Sequence, residues 1–219
     1  MHSRFGLKTN LTFNLPKIYP ITDARLSGIS HAVQVERLIE GGATFIQLRE
    51  KHSSSRDFYE SAARAMDIAR KSGVKIIIND RVDIAFALDA DGVHLGQDDL
   101  PPEYARKILG DDAIIGFSTH SPEQACAAAG LPVSYITIGP IFATQTKVDS
   151  EPAVGLEGLS KAKDKVGNFP LVAIGGITSE NLESVFKAGA DSAAIIRDLV
   201  SSADNISSKI QEFLNFNLS

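Results

Sequence analysis

Apolar positions along the chain fall into eight short runs of strand character. They are IYPIT at 18–22, TFIQL at 44–48, KIIIN at 75–79, GVHL at 92–95, AIIGF at 113–117, YITIG at 135–139, LVAIG at 171–175 and SAAII at 192–196. Between them the spacing changes to that of helices. Over 56–71, Phe58, Ala62, Ala65 or Met66 and Ala69 recur on one helical face, behind a serine run able to cap it and ahead of Gly73, which stops it. Ser121-Pro122-Glu123 announces another helix by a cap and a first-turn proline, and Thr178-Ser179-Glu180 announces one ending near Gly189.

The repeated unit is strand then helix. Eight units in this length predict an α/β protein built as a single (β/α)8 TIM barrel over 17–219, preceded by an N-terminal extension at 1–16. An open doubly wound sheet shows the same local alternation; the even count and compact spacing favour closure. At 219 residues, with 43% hydrophobic content and no composition shift after residue 17, one domain with a substantial core is expected.

In a barrel the chemistry gathers where the strands end, because the following loops converge on one mouth. The residues there are Asp23, Arg49-Glu50-Lys51, Asn79-Asp80-Arg81, the loop 96–99, Ser118 and His120, Thr144 to Lys147, Gly175-Gly176 and Arg197. In QLREK, strand alternation puts Gln47, Arg49 and Lys51 on one face, two cations suited to a polyphosphate. The plainer reading is a solvated strand end with Glu50 paired to a neighbouring base. Asp80 is open to two readings, as a cap for the next helix or as half of a carboxylate pair with Asp98 or Asp99. Such a pair beside two cations suits Mg2+, which is held by one or two carboxylates with phosphate and water. Nearby cations favour metal holding over proton donation by these acids. The AIGGI turn is a phosphate-binding candidate after the seventh strand, and Thr144, Thr146 and Lys147 sit where they can bridge two anionic ligands.

Charge and cysteine content narrow the partners. A net charge of −5 and no block of like charges exclude general attraction to nucleic acid, so any anion must be held locally. No apolar stretch is long enough to span a membrane, and the opening segment lacks a signal-peptide centre. The chain reads as cytoplasmic, although a slightly basic opening (Arg4, Lys8) leaves organelle targeting as an alternative to a frayed extension. The single Cys126 lies among alanines and is expected to be buried in helix packing. Zinc is disfavoured, since His94 and His120 have no third ligand at suitable spacing; His94, inside a strand, is expected to be a packed, hydrogen-bonded residue. Self-association into a homo-oligomer stays open.

Taken together, YPITD, GGATFIQLREK, IINDRVDIA, DGVHLGQDD, IIGFSTHSPEQA, YITIGPIFATQTK and VAIGGI resemble the thiamine phosphate synthase family, with the motifs in family order from Tyr19 to Ile196. The resemblance implies a (β/α)8 enzyme that joins hydroxymethylpyrimidine diphosphate to thiazole phosphate with release of diphosphate. It implies a pyrimidine-diphosphate site at Gln47, Arg49, Lys51, Asn79, Ser118 and Lys147, with Arg49, Lys51, Ser118 and Lys147 acting in catalysis and Mg2+ on Asp80 and Asp99. The thiazole phosphate would meet Thr144, Thr146, Gly176 and the backbone around Ile196 and Arg197. The family's last strand usually ends in a small residue, and Arg197 departs from that pattern. A thiazole tautomerase of the same fold is the nearest alternative, opposed by Gly139-Pro140, Asp80, Asp99 and Lys147; a non-catalytic binder of thiamine intermediates is another.

Overall fold

Strands that are apolar on both faces need cover on both, and a closed parallel sheet wrapped by helices supplies it. The computed structural model describes residues 14–144 and 152–216. Eight parallel strands close in sequence order: β1 (Ile18–Asp23), β2 (Phe45–Arg49), β3 (Lys75–Asn79), β4 (Gly92–Leu95), β5 (Ile114–Thr119), β6 (Tyr135–Ile138), β7 (Leu171–Ile174) and β8 (Ser192–Ile195). Closure is made by β1 against β8, with Ile18 opposite Ala193 and Pro20 opposite Ile195. The open-sheet alternative is thereby excluded. All eight expected strands are present, with ends shifted by no more than two residues.

Helices α1 (Ala24–Ser27), α2 (His31–Glu40), α3 (Ser55–Lys71), α4 (Val82–Ala87) and α5 (Pro102–Leu109) cover the first half of the barrel. The second half carries α6 (Pro122–Ala128), α7 (Gly155–Val166), α8 (Leu182–Lys187), the short α9 (Arg197–Val200) and α10 (Ile206–Leu214). Helix α3 behaves as its sequence dictates. Ser54 accepts from the Asp57 N–H, and Phe58, Ala62, Ala65, Met66 and Ala69 are buried. Ser121 likewise caps α6 through the Gln124 N–H, with Pro122 in the first turn.

Two helix expectations are corrected. Cys126 is exposed, because the barrel side of α6 is formed by Ala125 and Ala128, and one step of about 100° carries residue 126 outward. Thr178-Ser179 does not cap α8: the helix starts at Leu182, and Asn181 uses its side chain on the Thr178 N–H and the Gly176 carbonyl. The expected turn is spent on shaping the loop after β7.

The core has two layers. A large one lies between sheet and helices, and a smaller one fills the barrel interior with Tyr19, Ile21, Phe45, Ile77, Ile114, Tyr135, Val172 and Ala194. That inner layer fills the barrel below a mouth at the C-terminal end of the strands. No helix among the described residues is long and apolar enough to cross a membrane.

Candidate active site

Above the inner core lies a cavity of about 910 Å³ in the barrel mouth. It is lined by strand ends and their loops, including Gln47, Arg49, Lys51, Asn79, Asp80, Asp99, Ser118, Thr144, Gly176, Ile196 and Arg197. The sites expected from these residues thus share one space. Thr146 and Lys147, and with them Gln145, lie outside the described residues, as does most of the 1–16 extension.

Strand β2 aims its alternate residues into the mouth as the QLREK pattern requires. Arg49 is anchored by its Nη1, 2.6 Å from the Asp23 carboxylate, and both side chains are largely buried. Lys51 pairs with Asp80 across the neighbouring loop. These partners bear on two open readings. Glu50 lies 3.6 Å from His31 Nε2, a neighbouring base as the plainer reading has it, and also accepts the backbone N–H groups of Lys51, His52 and Ser53. Burial, the largest influence, raises its pKa, but these bonds and His31 bring it below the ordinary value. Asp80 caps no helix: α4 begins after Arg81, with no side-chain cap.

Asp80 sits at φ 62°, a left-handed conformation that aspartate tolerates better than most residues, and its N–H donates to the His94 carbonyl at 2.8 Å. Asp99 is held by the Gly96 N–H, 2.7 Å from its Oδ2. Burial pushes the Asp99 pKa up, and the charge and hydrogen bond of Asp80 push it further, against the lowering by Gly96 and Lys51. Asp80 and Asp99 thus act on one another, and Asp98 lines the same cavity.

Two like charges in a half-buried place fit a divalent cation that takes up their repulsion. No cluster of three or more His, Cys, Asp or Glu is found among the described residues. Beside this pair, Asn79 is buried and its Nδ2 has no hydrogen-bond partner among the described residues. An acceptor on a ligand would satisfy it.

The opposite side of the mouth is built from backbone. Gly175 and Gly176 have φ of 102° and 66°, and a Cβ on Gly176 would come within 2.7 Å of Phe142 Cβ. This turn and the N-terminal end of the short α9 present backbone where barrel phosphate sites form, after strands seven and eight. Arg197 is exposed on that rim. Asp198 beside it was not foreseen; its Oδ2 is buried without a hydrogen bond, 3.9 Å from Lys209 Nζ.

The same sequence region that forms this barrel, residues 18–199, matches the family model for thiamine monophosphate synthase. The chain belongs to the thiamine monophosphate synthase family. A thiamine-phosphate synthase of Chloroflexus aurantiacus is 46% identical over 189 residues, 86% of this chain and 87% of that one. One from Clostridium novyi is also 46% identical, over 86% of this chain and 92% of its own. The solved thiamine phosphate pyrophosphorylase of Pyrococcus furiosus superposes with a TM-score of 0.81 at 37% identity, covering 91% and 94% of the two chains. The activity of this synthase family member is formation of thiamine phosphate, a transferase reaction.

Thr137 of the synthase barrel was missed by sequence reasoning. It lines the mouth and donates from Oγ1 to Ser118 Oγ at 3.3 Å. A threonine at an inward position of an apolar strand was the available signal. His94 was read correctly as packed and hydrogen-bonded, but it also lines the mouth and contacts Ser118 through Nε2 at 2.8 Å.

Proposed function

We propose that this mouth joins 4-amino-2-methyl-5-hydroxymethylpyrimidine diphosphate to 4-methyl-5-(2-phosphoethyl)thiazole or its carboxylated form. The observation that carries the reading is the convergence of Arg49, Lys51, Asp80 and Asp99 on one cavity, two cations and two carboxylates that together suit a diphosphate with its counter-ion.

Asp80 and Asp99 would hold Mg2+, which when bound neutralises charge on the leaving diphosphate. Lys51 exchanges its Asp80 carboxylate for a diphosphate oxygen. Arg49 keeps its Asp23 anchor through Nη1 and has further N–H groups to offer. The carbon–oxygen bond to diphosphate breaks first, and its electron pair leaves with the diphosphate. The aminopyrimidine ring delocalises the resulting methylene cation until the thiazole nitrogen attacks. Cations placed where negative charge develops supply the rate enhancement, so no protein nucleophile is needed.

Gln47, Asn79 and Ser118 hydrogen-bond the pyrimidine diphosphate, while Thr144, Gly176 and the backbone at Ile196 and Arg197 receive the thiazole phosphate. Thr146 and Lys147 join these two groups on the strength of the sequence motif.

The test is thiamine phosphate formation from both substrates, with and without Mg2+, by the wild type and by Asp80→Asn and Arg49→Ala. Product should require Mg2+, and each substitution should lower kcat/KM by roughly a hundredfold or more. Absence of product from folded wild-type protein, or undiminished turnover without divalent cation, would overturn the proposal.

A further inference from the structure

A continuous row of buried polar groups runs beneath the mouth. Gln47 Nε2 donates to Tyr19 Oη at 2.8 Å, Tyr19 Oη lies 2.8 Å from Tyr135 Oη, and Tyr135 Oη lies 3.1 Å from His94 Nδ1. His94 Nε2 is then 2.8 Å from Ser118 Oγ, at the floor of the cavity. We propose that Tyr19 and Tyr135 hold His94 as its Nε2–H tautomer, and that His94 thereby makes Ser118 a hydrogen-bond donor to the substrate. This rests on the reading of the mouth as the pyrimidine-diphosphate site.

The proposed order is one in which every hydrogen along this row has an acceptor. An amide N–H can only donate, so Tyr19 accepts from Gln47 and has one hydrogen of its own to give. It goes to Tyr135. In this order Tyr135, having accepted, directs its single hydrogen at His94 Nδ1, which then presents a lone pair. A neutral imidazole with a bare Nδ1 carries its hydrogen on Nε2 and donates it to Ser118. Thr137 donates to the same Ser118 oxygen. Both lone pairs of that oxygen are then engaged, and its hydrogen is left for the cavity.

The surroundings protect this order. Both tyrosines are fully buried, and burial is the main reason that both phenols are pushed above their ordinary range, so each keeps its hydrogen. The His94 ring stacks on Tyr135 with centroids 5.6 Å apart and planes 22° apart. Gly116 leaves the space in which they meet: a Cβ there would lie 2.2 Å from Tyr135 Cζ and 2.4 Å from His94 Nδ1.

The consequence is selective. Ser118 faces a substrate atom with a lone pair, an unprotonated ring nitrogen or a diphosphate oxygen, and rejects an N–H at that place. His94 and Tyr135 are positioning residues, acting through Ser118.

The decisive measurement is the nitrogen–proton correlation spectrum of the full chain labelled with 15N-histidine at neutral pH, with His94→Gln assigning the His94 signals. A bare Nδ1 and a protonated Nε2 are expected, with the Nδ1 resonance moving in Tyr135→Phe. An Nδ1–H tautomer or an imidazolium would overturn the order.

Turnover supplies the second arm. Tyr135→Phe and His94→Leu should each lower kcat/KM about tenfold, the scale of one buried hydrogen bond. His94→Gln should recover most of the loss, because its amide N–H replaces Nε2–H. Glutamine no better than leucine would overturn the positioning role. Inorganic diphosphate as an inhibitor of Ser118→Ala separates the two acceptors: weakened inhibition identifies a phosphoryl oxygen, whereas unchanged inhibition with a raised KM for the pyrimidine identifies the ring nitrogen. The tautomer is read without turnover, so an inactive wild type with the expected spectrum would refute the proposed function and leave the hydrogen-bond order standing.

Discussion

Gly116→Ala is the smallest change that should disturb the barrel interior. Gly116 pairs with His94 on one side and Tyr135 on the other in the sheet register. Its φ lies outside the left-handed region, so alanine meets no backbone penalty there. The cost is collision alone. A carbon at 2.2 Å from Tyr135 Cζ is well over 1 Å inside the ordinary separation of about 3.5–4.0 Å. The Tyr135 ring cannot swing aside, being fully buried.

Overpacking of this kind costs about 1–3 kcal/mol, and separating Tyr135 from His94 adds about 0.5–1.5 kcal/mol for the lost hydrogen bond. The sum, about 1.5–4.5 kcal/mol, corresponds to a fall in Tm of roughly 3–18 °C at about 2–4 °C per kcal/mol. Thermal unfolding followed by circular dichroism measures it. Gly73→Ala is a useful comparison, since its Cβ would meet nothing within 4 Å and only its φ of 66° is unfavourable. A Gly116→Ala protein that melts with the wild type would refute the steric reasoning.

Two further outcomes are expected. Burial lowers the His31 pKa from 6.5 despite the opposing pull of Glu50 and Asp23, so the folded state binds this proton less tightly than the unfolded chain. His31 therefore adds to a loss of stability as pH falls from 6.5 toward the lowered value, and none of that loss occurs well above 6.5. Urea midpoints at about pH 7.5 and about pH 5.5 should differ less in His31→Gln than in the wild type, and equal differences would contradict this. Cys126, exposed on α6, should react with a maleimide in the native protein, and Cys126→Ser should change stability by no more than about 0.5 kcal/mol; labelling only after denaturation would place the thiol inside.

The strand and helix order could be read from the chain because both signals are local. The short apolar run of KIIIN, a serine before α3 and a proline in the first turn of α6 need no knowledge of distant residues. The polar strand ends were legible for a related reason: in a barrel they all converge on one mouth, so naming Arg49, Lys51, Asp80 and Ser118 required only their place after each strand, whereas position left Asp98 and Asp99 open and the family resemblance chose Asp99. Local signals also misled. Thr178-Ser179 has the composition of a cap, yet Asn181 organises that turn, and the alanines around Cys126 conceal which side faces the barrel.

What the tertiary structure alone decided is which of these groups meet. Asp23 reaches Arg49 and Asp80 reaches Lys51 only through the register of β1 on β2 and β2 on β3. Tyr19 and Tyr135, 116 residues apart, share a hydrogen bond because the closed barrel brings both to one inner layer. A linear pattern specifies which face a side chain takes; closure and register specify its neighbours, and the direction of each hydrogen bond follows from those neighbours.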